Sequence, residues 1–144
     1  MSYWDTSALA KLSLVEPDSA TFDALAQRPA PIRISPLVRY EARLTFLRRE
    51  REGAIAAHTA VVLSRRLDQD IADGKVEVIG AGFKIETEFE QVVQACMNRA
   101  TPISIRTLDA LHVAAALSVG ETEFLSNDIR QRAAAVAVGM TVLP

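Results

Sequence analysis

The chain has 144 residues, 49% of them hydrophobic, with a formal charge of −2 and a pI near 5.7. That length and apolar content fit one compact domain spanning residues 1–144, and the charge excludes a general electrostatic attraction to nucleic acid. Any RNA or DNA contact must rest on a local basic patch or a bound metal. Thirteen Arg against three Lys would suit phosphate recognition through the guanidinium fork, although genome composition explains the bias equally well. Cys96 is the only cysteine, so no internal disulfide can form and nothing requires an oxidising compartment. The N-terminus lacks a basic stretch followed by a long apolar run, and no apolar run approaches membrane-spanning length. The expected setting is cytoplasmic, with no membrane contact.

Residues 2–5 read as a short strand, followed by a helix from Ser7 to about Leu14 that ends before Pro17. A second helix fits Ser19 to Gln27, and Pro29 and Pro31 turn the chain into a strand at 32–35. Pro36 opens a long helix on which Leu37, Glu41, Leu44, Leu47 and Arg48 share one side, placing Glu41 on the expected inward face. Beyond Gly53 a further helix is expected from Ala54 to Ala72, forming a hairpin with the previous one and closed by Asp73-Gly74. An alternating strand covers 76–79. Helices then fit Ile85 to Arg99 and Ile105 to Ser118, with Gly120 stopping the second. A strand at 123–126, a helix from Ile129 to Val138 and a strand at 140–143 complete the chain. Ile85, Phe89, Val92, Val93 and Cys96 recur at helical spacing, which marks Cys96 as core packing rather than a nucleophile.

Strands alternating with helices imply right-handed crossovers, hence a three-layer α/β/α fold around a mainly parallel sheet of about five strands. In such a fold strand carboxyl ends and helix amino ends share one edge. Asp5 and Asp128 follow strands, whereas Glu41 and Asp109 stand early in helices, so all four point to one rim. Two carboxylates about 4 Å apart repel by roughly 4 kcal/mol at an effective dielectric near 20. Protons, Arg or Lys, or divalent cations could neutralise such a cluster. With no His or Cys placed among the acids, Mg²⁺ or Mn²⁺ is favoured over zinc. A pair of such ions about 4 Å apart activates a water and stabilises in-line displacement at a phosphodiester.

Each acid also has a plainer reading. Asp5 or Asp128 would cap the helix that follows it, Glu41 would pair with a nearby Arg, and Asp109 with Arg106 three positions before it. Arg106 reads equally as a phosphate contact. His112 stands one turn after Asp109 but among Leu111, Val113 and Ala114, and reads as a packed residue without a catalytic role. His58 has no acidic motif beside it. Arg39, Arg43, Arg48, Arg49 and Arg51, with Arg65 and Arg66 across the hairpin, form either a track for an RNA backbone or a solvated face.

Four stretches then carry a resemblance over nearly the whole chain. They are Tyr3-Trp4-Asp5-Thr6-Ser7-Ala8-Leu9-Ala10-Lys11-Leu12; Ser35-Pro36-Leu37-Val38-Arg39-Tyr40-Glu41; Arg106-Thr107-Leu108-Asp109-Ala110-Leu111-His112-Val113-Ala114-Ala115-Ala116; and Phe124-Leu125-Ser126-Asn127-Asp128 through Gly139 and Pro144. In this order they resemble the PIN-domain ribonucleases, specifically VapC-type toxins of toxin–antitoxin pairs. The resemblance implies that Asp5, Glu41, Asp109 and Asp128 are the catalytic, metal-binding acids. It suggests that Ser7 or Thr6 supplies a hydroxyl near the metal and that Ser126 stands where many relatives carry Thr, which keeps the hydroxyl; Arg106 is a candidate substrate contact on its own reading. Asn127 falls near where some relatives place a further acid. It also implies cleavage of RNA such as tRNA or rRNA leaving a 5′-phosphate, a VapB-type antitoxin docking beside Leu44, Leu47 and Val62, and a homodimer.

Two other readings compete. A catalytically silent PIN-like module that binds RNA or protein would lack one of the acids, and all four are here. A haloacid-dehalogenase-type phosphotransferase needs a second Asp two positions after the first, where Ser7 stands.

Overall fold

The computed structural model describes residues 2–80, 82 and 84–144; Met1, Ala81 and Phe83 lie outside the described residues. In chain order the elements are β1 (Ser2–Trp4), α1 (Thr6–Ala10), α2 (Ser19–Ala26), β2 (Ile32–Ile34), α3 (Pro36–Arg51), α4 (Thr59–Ala72), β3 (Val76–Val78), α5 (Lys84–Met97), α6 (Thr107–Ser118), β4 (Glu123–Leu125), α7 (Ile129–Ala137) and β5 (Thr141–Leu143).

The strands form one sheet of order β3-β2-β1-β4-β5, and every pairing is parallel. Ser2 registers with Ile32 on one side and with Glu123 on the other. A parallel sheet needs helical cover on both faces, and the helices pack in two groups: α1, α3 and α4 in one, α5, α6 and α7 in the other. Central β1 is accordingly apolar in both directions, with Tyr3 and Trp4 buried. Alanines 110, 114, 115 and 116 of α6 are all buried, which lets α5 and α7 approach α6 closely.

Strand order reverses between β1 and β4, because the chain winds outward through β2 and β3 and then returns to the far side of β1. The crevice beyond the carboxyl ends at such a reversal is where open α/β sheets bind ligands. Asp5 leaves β1 at this point, its N–H donating to the Leu125 carbonyl of β4 at 3.0 Å.

Local chemistry sets the helix starts that matter here. Pro36 occupies the first turn of α3, and the Ser35 hydroxyl accepts from the Val38 N–H. Two boundaries differ from expectation. Helix α1 ends at Ala10 rather than near Leu14, because Lys11, Leu12 and Ser13 make i→i−3 bonds and Lys11 turns to Glu16 and Asp18. Helix α4 begins at Thr59 rather than Ala54. His58 sits at φ +66, a left-handed conformation, and the Glu50 carboxylate receives the Ala60 N–H at 2.8 Å. At the other end of α4, Gly74 at φ +74 closes the helix as Asp73-Gly74 predicts.

The expected inward face of α3 is corrected as well. Val38, Ala42 and Phe46 enter the core, while Leu44 and Leu47 are 48% and 57% exposed. The stripe carrying Glu41 therefore borders the crevice instead of the core. Cys96 is buried among apolar side chains, and burial pushes its thiol pKa up.

Candidate functional site

Asp5 follows β1 and caps α1, its Oδ1 receiving the Ala8 N–H at 2.8 Å. Ser7 Oγ lies 2.8 and 3.0 Å from its two oxygens, and Ser126 donates to Oδ2 at 2.9 Å. The side chain is 2% exposed. Burial holds its carboxyl above the ordinary carboxylate range, and the bonds from Ala8, Ser7 and Ser126 pull downward without cancelling that effect.

The same two hydroxyls tie Asp5 to the loop after β4. Ser126 Oγ accepts from the Asp128 N–H at 2.9 Å, and Ser7 Oγ accepts from the Asn127 N–H at 2.7 Å. Asp128 caps α7, with Oδ1 receiving the N–H groups of Arg130 and Gln131. One oxygen of Asp128 is thus committed to the helix while the carboxylate faces the crevice. Ser7 and Ser126 position the acids.

Glu41 accepts hydrogen bonds from the Thr6 hydroxyl and from His112 Nε2, the latter at 3.0 Å. Because a carboxylate only accepts, Nε2 carries the hydrogen between them. The other ring nitrogen, Nδ1, lies 2.9 Å from the Tyr3 hydroxyl, which is itself 3.0 Å from the Ser35 hydroxyl. Burial drives the Tyr3 phenol pKa upward, so it stays protonated, and its ring stacks on Phe124 at 5.4 Å. A buried relay therefore runs from Ser35 through Tyr3 and His112 to Glu41. Burial alone would raise the Glu41 carboxyl, but the bonds from His112 and Thr6 outweigh it and leave the pKa lowered. His112 is buried, as its apolar neighbours indicate, and it also holds one of the acids.

Asp109 accepts from the Arg106 backbone N–H at 3.3 Å and from Gln131 Nε2 at 3.3 Å. The expected pairing with Arg106 thus runs through the backbone. The Arg106 residue is exposed, and among the described residues its side chain makes no ion pair with Asp109.

A cavity of about 620 Å³ opens at the strand-order reversal and is lined by Asp5, Thr6, Ser7, Glu41, Asp128 and Gln131, among others. Asp109 is tied to it through Gln131, Lys11, Arg48 and Arg49 also line it, and Arg106 is not among its walls. The family profile for the PIN domain matches residues 2–137. The chain belongs to the PIN domain family. The PIN fold is also what solved structures show: FitAcB from Neisseria gonorrhoeae aligns with a TM-score of 0.72 at 17% identity, covering 100% of this chain and 97% of that one. VapBC-1 from nontypeable Haemophilus influenzae aligns at 0.67 and 14% identity, covering 99% and 97%. No curated protein matches the sequence.

PIN domains are generally metal-dependent nucleases, and the donor set here fits a hard cation in kind. Oxygen atoms line the crevice, and among the described residues none of the four acids forms an ion pair with Lys or Arg; the nitrogen nearest Glu41 is His112 Nε2. Gln131 Oε1 is buried and has no donor among the described residues, a state that costs about 1–3 kcal/mol unless something electropositive arrives. Also among the described residues, no three Asp, Glu, His or Cys side chains stand close enough to grip one ion together.

The basic residues divide. Arg39 and Arg43 both bind Asp68 of α4, at 2.9 and 2.7 Å, and so stitch the α3–α4 hairpin instead of facing RNA. Arg49 reaches Glu16 at 3.3 Å beside the cavity. Asn127 turns its side-chain amide to Asp18 at 3.3 Å, while its backbone N–H supports Ser7. Sequence reading missed the ties made by His112 and Gln131. Each stands three residues after an acid, His112 after Asp109 within α6 and Gln131 after the Asp128 that caps α7, which was the available signal.

Proposed function

We propose that the chain is an Mg²⁺- or Mn²⁺-dependent endoribonuclease. It is the toxin of a VapBC-type toxin–antitoxin pair, which slows translation by hydrolysing phosphodiesters in RNA such as tRNA or rRNA. The supporting observation is the common cavity of Asp5, Glu41 and Asp128, joined to Asp109 by Gln131 and lacking a Lys or Arg counter-ion to these acids among the described residues. Those four acids would hold the cation. When bound, it supplies a polarised water and charge stabilisation for displacement at phosphorus.

The chain's own residues do the rest. Ser7 and Ser126 hold Asp5, while Thr6 and the His112–Tyr3–Ser35 relay fix Glu41. Arg48 and Arg49, beside the acids, would meet the RNA backbone. The antitoxin reading draws on the likeness to VapBC-1 and on the exposed Leu44, Leu47 and Val62, which offer an apolar strip to an amphipathic helix. A homodimer working in the cytoplasm completes the proposal. No helix among the described residues is long and apolar enough to cross a membrane.

A catalytically silent PIN-like binding module is the second reading, favoured by the wide spacing of the acids. The test is cleavage of total cellular RNA by the purified chain with Mg²⁺ or Mn²⁺ against EDTA, and against Asp5→Asn. Metal-dependent cleavage lost in Asp5→Asn supports the ribonuclease; no cleavage of varied RNAs supports the silent module.

A further inference from the structure

Gln131 is a member of the cavity wall with a buried polar atom that the four-acid reading leaves unexplained. It stands one turn into α7, is 6% exposed, and lines the cavity with Asp5, Glu41 and Asp128. Its amide nitrogen donates to Asp109 Oδ1 at 3.3 Å. That bond fixes which end of the amide is which, because a carboxylate cannot donate to the other end. The amide oxygen is left buried without a donor among the described residues.

Gln131 is bonded on both sides to carboxylates, its N–H to Asp128 and its amide nitrogen to Asp109, and these acceptors give its oxygen no hydrogen. A hard divalent cation, with its bound waters, satisfies acceptors of both kinds at once, and neutral carbonyl oxygens are ordinary partners for such ions. Asn127, the nearer candidate by position in the chain, spends its amide on Asp18 outside this group. Resting on the metal reading above, we propose that Gln131 is a further member of the cation site, giving the ion a neutral oxygen while its nitrogen orients Asp109.

The experiment is Mn²⁺ titration followed by electron paramagnetic resonance, on the full chain and on Asp5→Asn, Gln131→Met and Gln131→Glu, with a melting curve of each metal-free protein. Methionine keeps the length of the side chain and removes both polar atoms. Gln131→Met should weaken Mn²⁺ binding about 10-fold or more, the range seen when groups supporting a metal site are lost. Its metal-free melting temperature should not fall, because an unsatisfied buried oxygen leaves with the amide. Gln131→Glu should bind Mn²⁺ at least as tightly as the parent and show a larger rise in melting temperature when Mn²⁺ is added. Unchanged Mn²⁺ affinity in Gln131→Met, with parent binding still lost in Asp5→Asn, would overturn the role of Gln131 and leave the acid site standing. Absence of Mn²⁺ binding by the parent chain itself would overturn both.

Discussion

The two edges of the sheet treat their carboxylates in opposite ways. At the edge where strands begin, Arg33 binds Glu77 at 3.0 Å and Glu121 at 2.8 Å, Arg28 binds Glu123 at 3.0 Å, and Lys75 binds Asp70 and Asp73. A cavity of about 630 Å³ lies at that end, lined by Arg28, Lys75, Asp70 and Asp73 among others, so its carboxylates sit beside their own counter-ions. Where the strands end, a cavity of nearly equal volume is lined by Asp5, Glu41 and Asp128, which hydroxyls, backbone N–H groups and one imidazole hold. Cavity size does not separate the edges; the donors to Asp5, Glu41 and Asp128 do, although Glu16 in the same wall is paired with Lys11 and Arg49. Hydroxyl and backbone N–H donors, such as those on Asp5 and Asp128, fix a carboxylate in place without an opposite charge, and the site remains open to a cation from outside.

If that contrast is right, the largest effect falls on the acids themselves. Asp5→Asn and Glu41→Gln should each lower RNA cleavage by about 10³-fold, roughly 4 kcal/mol in barrier, in a metal-supplemented assay. Next comes the relay behind Glu41. His112→Leu should cost about 10–100-fold in both cleavage and Mn²⁺ affinity. Tyr3→Phe, which cuts the relay one step further back, should cost less, and melting curves would separate either effect from unfolding.

The opposite edge should answer in stability alone. Arg33→Ala removes the ion pairs of Arg33 with Glu121 and Glu77 and should cost about 1 kcal/mol in chemical denaturation. Cleavage per folded molecule should be unchanged.

The smallest effect concerns the metal-free protein. Asp5 has its pKa raised by burial, so the folded chain holds that proton more tightly than the unfolded one. The group's contribution to stability is present at low pH and is lost as pH rises through the folded-state value. Asp5→Asn, with no charge to bury, should therefore melt roughly 1–3 °C higher than the parent at neutral pH without metal. The gain should vanish as pH is lowered into the carboxylate range.

Much of this was legible in the sequence. Alternating elements gave the parallel sheet, and Asp5, Glu41, Asp109 and Asp128 stood out because each follows a strand or opens a helix. What failed were features set by contacts distant in sequence. The start of α4 depends on Glu50 receiving the Ala60 N–H, which periodicity cannot register. The α3 stripe of Leu37, Leu44 and Leu47 is apolar without being core, since Val38, Ala42 and Phe46 already fill that space. His112 and Gln131 each sit a turn beyond an acid, yet each serves a different acid: His112 binds Glu41, and Gln131 binds Asp109. Spacing along one helix places a side chain on a face, and only the packed fold decides which neighbour it meets. Arg39 and Arg43 show the same limit, since Asp68 of the facing helix claims both.

The decisive measurement is a crystal structure of the chain soaked in Mn²⁺, with the anomalous signal used to locate the ion. A peak among Asp5, Glu41, Asp109 and Asp128 is the expected result. Mn²⁺ bound elsewhere, with these four carboxylates keeping only their hydroxyl, amide and imidazole partners, would contradict it.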